Sequence, residues 1–336
     1  MSTPGRSCPL HYRYSPTVFA RSAATRCDTL YVVGGLYGNE PALAQVLALF
    51  AQEPGTAGVH KRLVFNGDFN WFNVDPAAFA RINTCVLGFD ALRGNVETEI
   101  ARMGAAGGAD SDTADADDGD TGCGCAYPAW VGDGVVQRSN RILQRLHRTA
   151  RGFAALQQRL AALPMHQRVD VGALRLGIVH GDAESLAGWG FAQEHLQDAA
   201  HRATVRGWFD AAQVDAFACS HTCLPVFHTL PMPGRSTPAV VLNNGATGMP
   251  NFAGSAVGLF TRVALQPFAG PPAACRHGLV RAGVYINAVA VDASTPQWQA
   301  AFVQQWPPGS DAHTSYWQRI CQGPAFHPAQ ALETSP

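Results

Sequence analysis

The chain has 336 residues, 47% of them hydrophobic, which is enough to form one large buried core. Its formal net charge of −1 and the absence of any basic run argue against nucleic acid or an anionic membrane as a partner. No stretch is apolar for long enough to span a bilayer, and an odd number of cysteines, nine, does not suit a disulfide framework. With no secretory signal pattern at the N-terminus, we predict a cytoplasmic protein whose oligomeric state the sequence leaves open.

Short apolar runs bounded by turn-forming residues predict buried strands along most of the chain. The runs that carry this prediction are residues 31–33, 63–65, 174–179, 214–218 and 284–291. Between them, residues 40–50 predict a helix with Asn39 as its N-cap and Pro41 in its first turn. Further helices are predicted at residues 133–147, 150–163, 191–206 and 208–213.

The middle of the chain carries an insertion, residues 101–165, that begins with an acidic segment. Residues 103–122 hold six aspartates among glycine and alanine, which predicts a solvated, mobile loop. Calcium binding is the alternative, but the segment lacks the ordered spacing and the terminal Glu of a calcium loop. The two helices that follow predict either a cap over a substrate site or a layer that extends the core.

Four of the segments end in polar residues, in a fixed order along the chain. These segments are Gly67-Asp68, Arg93-Gly94-Asn95, His180-Gly181 and Ser220-His221-Thr222-Cys223. A strand that ends in this way places a ligand atom at the rim of a sheet, where loops carry function. Together Asp68, Asn95, His180 and His221 can hold one hard or borderline divalent cation. Taken singly, Asp68 is also typical of a turn or cap, and each His of a hydrogen-bonded core histidine.

The order of these segments resembles that of the calcineurin-like metallophosphoesterases, whose signature runs DxH, GDxxD, GNH(D/E), a strand-ending His and GHxH. Residues 31–39 correspond to the first element, and residues 240–250 are similar to the family's last strand and NPGS turn. The resemblance covers most of the chain. It implies an α/β fold, a calcineurin-like four-layer αββα sandwich of two mixed sheets flanked by helices, with a helical insertion.

The resemblance implies two metal sites, and this chain keeps the ligands of only one. The ligands of the second metal are all present, as Asp68, Asn95, His180 and His221. The first metal takes the DxH pair, the shared Asp and the final His, and three of these four are replaced here by Gly35, Tyr37 and Cys223. We therefore expect a divalent ion, Mn, Fe or Zn, at the intact site, and an altered site beside it.

Thiolates are one way to rebuild the altered site. Cys223 stands at a ligand position, and Cys123 and Cys125 lie in the insertion. Thiolate ligands would favour zinc or iron. The CxC spacing lacks the two-residue separation of a zinc knuckle, so free buried or surface thiols are the other interpretation.

The function implied by the resemblance is hydrolysis of a small phosphate-containing substrate, a monoester or diester that includes nucleotide-derived esters. Asp68, Asn95 and His180 would form the catalytic metal centre, a metal-activated hydroxide would attack phosphorus, and Arg93 would contact the phosphate. The alternative is a catalytically degenerate relative that binds a metal or a phosphate-containing ligand in a regulatory role.

Two replacements concern catalysis rather than metal binding. Val96 stands where the family often has a leaving-group acid, and Trp71 replaces the second Asp of GDxxD. An aromatic side chain there can stack on a planar leaving group. For the domain organisation we predict an N-terminal extension at 1–26, the phosphoesterase-like domain at 27–295, and a C-terminal extension at 296–336 that packs on it.

Overall fold

The computed structural model describes residues 4–6, 9–54, 60–102 and 122–332. Nearly all of the predicted acidic loop, residues 103–121, lies outside the described residues. The strands are β1 Thr25–Cys27, β2 Thr29–Val33, β3 Lys61–Asn66, β4 Asp90–Leu92, β5 His166–Val171, β6 Leu174–Val179, β7 Ala216–Cys219, β8 Pro225–Leu230, β9 Ala239–Asn244, β10 Val257–Ala264, β11 Cys275–Arg281 and β12 Val284–Asp292. The helices are α1 Thr17–Arg21, α2 Glu40–Gln52, α3 Pro76–Val86, α4 Asn95–Ile100, α5 Asp133–Arg151, α6 Ala154–Ala161, α7 Gln193–Leu196, α8 Ala199–Ala212, α9 Pro296–Gln305, α10 Asp311–Gln322 and α11 Pro328–Ala331.

The strands form two mixed sheets of six strands each. One sheet has the order β11-β12-β10-β2-β3-β4, in which β2, β3 and β4 are parallel and the other pairs antiparallel. The other has the order β1-β5-β6-β7-β9-β8, in which β6, β7 and β9 are parallel. Each sheet therefore has three adjacent parallel strands whose carboxyl ends point to one edge of the sheet.

Side chains alternate across the first sheet with the period of two that a strand imposes. On β2, Val32 points into the core between the two sheets, where it packs with residues of the other sheet such as Ile178. Its neighbours Tyr31 and Val33 point to the opposite face, which helices cover. The outer face of the second sheet is covered by α8, through Phe209 among others. The predicted four-layer arrangement, helices on both outer faces of two packed sheets, is confirmed.

Helix boundaries follow local capping. As predicted, Asn39 caps α2, because its Oδ1 accepts a hydrogen bond of 3.0 Å from the Ala42 amide. The boundaries predicted for the helices at 191–206 and 208–213 were wrong. Asp198 caps a new helix there, and α8 continues through Gly207 since Trp208 and Phe209 extend its apolar face into the core. The helix predicted at 150–163 begins only at Ala154, because α5 extends to Arg151.

The insertion and the C-terminal segment belong to the same helical layer. Leu143 and Leu146 of α5 lie in one hydrophobic cluster with Trp298 and Trp306 from the C-terminal segment. Most of α5 and α6 therefore fits the second interpretation of the insertion, a helical layer that extends the core. None of the helices in the described ranges combines the length and apolarity needed to cross a membrane.

Candidate metal centre

Four polar side chains lie at the edge where the parallel strands of both sheets end. Asp68 follows β3, Asn95 begins α4 just after β4, His180 follows β6, and His221 follows β7. All four side chains are buried. The strand ends of the two packed sheets thus bring residues that are far apart in sequence to one place.

The other three side chains converge on His180. Its Nε2 lies 3.3 Å from Asp68 Oδ1, 3.2 Å from Asn95 Oδ1 and 3.2 Å from His221 Nδ1. One atom each of Asp68, His180 and His221 lies within 4.8 Å of the others, so this group can hold a metal ion. Ligands about 2.1 Å from a cation are separated by roughly 3.0–3.4 Å along the edges of an octahedron or tetrahedron, so the spacing fits.

Hydrogen bonds to backbone carbonyls fix which imidazole nitrogens face the cluster. His180 Nδ1 lies 2.9 Å from the Asn66 carbonyl, and His221 Nε2 lies 3.1 Å from the Cys125 carbonyl. A carbonyl only accepts, so in each ring this nitrogen donates. In the neutral rings, His180 Nε2 and His221 Nδ1 are then the lone-pair nitrogens, and they face each other.

The amide and the carboxylate present acceptors to the same point. Asn95 Nδ2 donates to the Cys123 carbonyl at 2.8 Å, which turns its Oδ1 toward His180. The Asp68 carboxylate is held by the backbone amide of Val96, 3.3 Å from Oδ1. Two imidazole nitrogens, one amide oxygen and one carboxylate oxygen therefore meet as acceptors, which is unfavourable unless a proton or a cation lies among them.

In the absence of a metal, a proton would be shared within this group. Burial lowers the pKa of His180, but the adjacent Asp68 carboxylate more than offsets it, and the net pKa is raised. Burial likewise raises the pKa of Asp68, and the nearby His180 reverses this to a net lowering. Burial and the neighbouring His180 together lower the pKa of His221 to about 4. The site thus binds positive charge at His180 and keeps His221 neutral.

Glu97 supports the site and was not among the residues singled out from the sequence. Its carboxylate accepts hydrogen bonds from the backbone amides of Asp68 at 2.7 Å, Asn70 at 3.2 Å and Gly94 at 3.1 Å. These contacts hold the turn after β3 against the turn after β4. Its position as the acidic residue of the GNH(D/E) pattern was the signal that could have identified it.

The backbone at the site adopts conformations that are rare elsewhere. Tyr37, Asp68 and Cys223 have φ of 56°, 53° and 61°, in the left-handed region that non-glycine residues seldom occupy. At Gly67 a Cβ atom would lie 2.6 Å from the Gly94 Cα and 2.6 Å from His180 Nδ1, so only glycine permits this approach. Such strain is concentrated at functional sites in other proteins.

Two of the side chains that replace the expected ligands of the first site contact each other. The Tyr37 hydroxyl lies 2.8 Å from Cys223 Sγ, and that sulfur also lies 3.2 Å from the His221 carbonyl. Burial raises the pKa of both Tyr37 and Cys223, and at Cys223 it outweighs the opposing charge of Arg319, so the phenol and the thiol are both neutral. Cys223, a predicted ligand, is not part of the compact group formed by Asp68, His180 and His221.

Cys123 and Cys125 contribute carbonyl groups to the centre. The Cys123 carbonyl orients Asn95, and the Cys125 carbonyl orients His221. Burial raises the pKa of the Cys125 thiol well above its ordinary value, which disfavours the thiolate. The geometry therefore gives the insertion a supporting role at this site.

Arg93, the predicted phosphate contact, is not brought to the centre. Its guanidinium Nη1 donates to the Ala161 carbonyl at 3.1 Å, where it joins the β4 end to α6. The arginine that does reach the site is Arg319 of α10, which donates to the carbonyls of Pro250 at 3.1 Å and Cys223 at 2.7 Å. Nothing in the sequence motifs pointed to it, because α10 is distant from all of them along the chain.

A cavity of about 240 Å³ adjoins the four-residue centre. Asp68, Asn95 and His221 form part of its wall, and Arg319 lies on the wall as well. The rest is largely aromatic and aliphatic, and includes Trp71. The cavity gives a small molecule access to the candidate ligands.

Comparison with known proteins identifies the fold. No family model matches the sequence, and no curated protein matches it either. A metallophosphoesterase from Sphaerobacter thermophilus has a similar solved structure, with a TM-score of 0.53 and 15% identity over 89% of this chain and 100% of that one. A hypothetical protein from Pyrococcus horikoshii has a TM-score of 0.52 and 13% identity over 88% of this chain and 99% of that one.

The chain therefore has the fold of a metallophosphoesterase, and the resemblance drawn from the sequence motifs is confirmed at the level of the fold. At 13–15% identity this similarity concerns architecture alone.

Proposed function

We propose that this protein is a metal-dependent hydrolase of a phosphate ester. The observation that carries the proposal is the meeting of four acceptor atoms, three of them 3.2–3.3 Å from the fourth, His180 Nε2, with both imidazoles held in the tautomer that a cation requires. Such an arrangement beside a cavity, on this fold, supports hydrolysis of an ester that reaches the centre.

The residues divide the work as follows. Asp68, Asn95, His180 and His221 would hold one divalent cation, which supplies Lewis acidity and an activated water when bound. The two backbone carbonyls behind the imidazoles keep the ligand nitrogens aimed at the cation. Arg319 places positive charge on the cavity wall, where it can neutralise the phosphate of a bound ester.

The ligand set favours Mn, Fe or Zn. Two imidazole nitrogens, one carboxylate oxygen and one amide oxygen form a borderline set that suits these ions better than calcium or magnesium. Among the described residues, no cysteine sulfur joins the compact group, so the thiolate-rich alternative for the altered site has less support.

A second candidate is a degenerate relative that binds a metal or a phosphate-containing ligand without turnover. The contact between Tyr37 and Cys223 favours it, because these neutral side chains occupy the position where the resemblance implies a further cation. A single cation still polarises a phosphoryl oxygen and activates water, and we therefore place hydrolysis first. The proposal also includes a small-molecule substrate and a cytoplasmic location.

Metal analysis combined with turnover tests the proposal. Purified protein would be assayed with a phosphomonoester and a phosphodiester in the presence of Mn²⁺, Fe²⁺ or Zn²⁺, beside the His221→Ala variant. We expect metal-dependent release of phosphate or alcohol that His221→Ala abolishes. Metal binding that depends on His221 without hydrolysis of either ester would favour the binding protein instead.

A further inference from the structure

We propose that the cavity beside the metal centre selects phosphate esters of a flat aromatic alcohol, with the ring seated against the aromatic side chains that line the cavity and the phosphate at the centre. This substrate class deepens the proposed function and rests on it.

Four aromatic side chains line much of the cavity. Trp71 and Tyr316 lie edge to face, with ring centroids 6.4 Å apart. Trp189 and Tyr127 have ring centroids 6.0 Å apart. Aromatic rings bind other rings through offset or edge-to-face contacts, so these side chains fit a flat aromatic group better than a branched or polar one.

The aromatic wall touches the metal centre directly. The ring of Trp189 lies edge-on to the candidate ligand His221, with centroids 5.7 Å apart. Its Nε1 donates to the Cys125 carbonyl at 2.8 Å, the same carbonyl that accepts from His221. An ester with its phosphorus at the centre would therefore have its leaving group within reach of this ring.

Exposed apolar side chains lie at and beside the cavity. Val135, which lines the cavity, is 37% exposed, and Trp130, which lies edge-on to the lining residue Trp189 with ring centroids 6.4 Å apart, is 57% exposed. Large exposed apolar side chains grouped at a cavity are typical of ligand sites. A bound aromatic group that extends past Trp189 would cover part of this surface.

The size limits the ligand to a small ester. The cavity of about 240 Å³ compares with an engineered apolar cavity of about 150 Å³ that holds benzene. There is room for one or two fused rings with a phosphate. The cavity also offers a positive charge that can pair with the phosphate of a small ester. This charge is that of Arg319, the only lysine or arginine among the described residues that line the cavity.

The proton donors of the cavity fit a phenolic leaving group. Hydrolysis joins water to phosphorus, breaks the bond between phosphorus and the leaving oxygen, and returns the proton of water to that oxygen. Val96 cannot donate a proton to the leaving oxygen. Burial raises the pKa of Tyr37 and of Tyr127, so neither tyrosine donates a proton readily near neutral pH. A phenol, which ionises near pH 10, leaves as an anion far more readily than an aliphatic alcohol and needs no acid.

Binding of unreactive phosphonates tests the proposal without requiring turnover. Phenylphosphonate, n-hexylphosphonate and methylphosphonate would be titrated into the metal-loaded protein, with tryptophan fluorescence and calorimetry as readouts. We expect phenylphosphonate to bind at least tenfold more tightly than both others. The Trp71→Leu variant should lose at least fivefold in affinity for phenylphosphonate and less than twofold for methylphosphonate.

The control and a second variant keep the test decisive. Trp317→Leu alters a tryptophan that packs on Phe302, outside the cavity, and should bind all three phosphonates as the unmodified protein does. If Trp71→Leu does not fold, Tyr127→Leu, which alters another aromatic side chain that lines the cavity, serves the same purpose. Equal binding of the three phosphonates, or tighter binding of n-hexylphosphonate, would overturn the proposal.

The outcome also separates this inference from the proposed function. Selective binding of phenylphosphonate with no hydrolysis of phenyl phosphate would uphold the assignment of the cavity and count against the hydrolase. Hydrolysis of esters without selectivity among the phosphonates would uphold the hydrolase and count against the assignment of the cavity.

Discussion

The Tyr37 hydroxyl and the Cys223 sulfur lie 2.8 Å apart and contact each other beside the four-residue centre. Both positions carry metal ligands in the family that the sequence resembles. Burial raises the pKa of each group, so neither supplies the negative charge that would hold a cation. The contact therefore predicts a centre with one metal ion rather than two.

Metal content follows from this arrangement. We expect one equivalent of metal per chain, measured by elemental analysis of the purified protein. His180→Ala should lose it, because His180 Nε2 is the atom on which the other three ligands converge. Cys223→Ala should retain it, since the Cys223 sulfur is not part of the compact group.

A matched control separates metal loss from general damage. His277 lies on β11 and stacks on Phe227 with centroids 4.8 Å apart, outside the candidate ligand group, so His277→Ala should keep its metal. Two equivalents in the unmodified protein, with one lost in Cys223→Ala, would show that the altered site is occupied after all.

Restoring the missing ligands should restore a second cation. The combined variant Gly35→Asp, Tyr37→His and Cys223→His is expected to bind two equivalents of Mn²⁺ or Zn²⁺. Gly35 has φ of 62°, a conformation that Asp tolerates better than most residues, and its Cβ would lie 3.0 Å from the Tyr37 ring that the variant removes. Tyr37→His alone should remain at one equivalent, as calorimetric titration would show.

Metal affinity should fall as the pH is lowered. The raised pKa of His180 lies above its ordinary value of 6.5, and the proton bound below that pKa must leave before a cation binds. Affinity is therefore greatest above this pKa and decreases below it, by about tenfold per pH unit for one displaced proton. His221 adds a second proton only near pH 4, where its lowered pKa lies.

Titration of Mn²⁺ between about pH 5 and pH 8 measures this dependence. The slope of the logarithm of affinity against pH should approach one below the pKa of His180 and flatten above it. An affinity that does not change over this range would contradict the proton held between His180 and Asp68.

The boundaries of the strands were predicted from the sequence more accurately than those of the helices. Apolar runs such as residues 174–179 coincide with β6, because a short buried strand leaves an unmistakable apolar pattern between turns. The helix boundary at Asp198 was missed because a single capping hydrogen bond, 2.9 Å from Ala200, decides it within a continuous helical pattern. Local capping competes with periodicity, and only the folded chain shows which prevails.

At the site, local motifs predicted the ligands but not their surroundings. Asp68 and His180 follow apolar runs that the sequence displays, so the strand ends could be placed in advance. Arg319 and Tyr316 reach the cavity from α10, whose position depends on tertiary packing against α5 and on no local signal. For the same reason Arg93 was assigned to phosphate although its side chain extends toward α6.

Glu97 should be essential to the geometry of the centre, because each of its carboxylate oxygens faces backbone donors. Oε2 accepts from the amides of Asp68 and Gly94, and Oε1 accepts from the amide of Asn70. In Glu97→Gln one oxygen becomes an NH₂ group that meets a backbone donor, so at least one buried amide loses its acceptor. That loss should lower the free energy of unfolding by about 1–3 kcal/mol and also weaken metal binding, since Asp68 shifts.

Urea denaturation and metal titration of Glu97→Gln test this expectation together. Burial, with the nearby Asp68, raises the pKa of Glu97 to about 7, above its ordinary value of 4.5. A raised pKa stabilises the folded protein at low pH, and this contribution is lost as the pH rises from about 4.5 through about 7. The Gln variant lacks this titration, so its stability should change less over that interval. Equal pH dependence in both proteins would place the titrating group elsewhere.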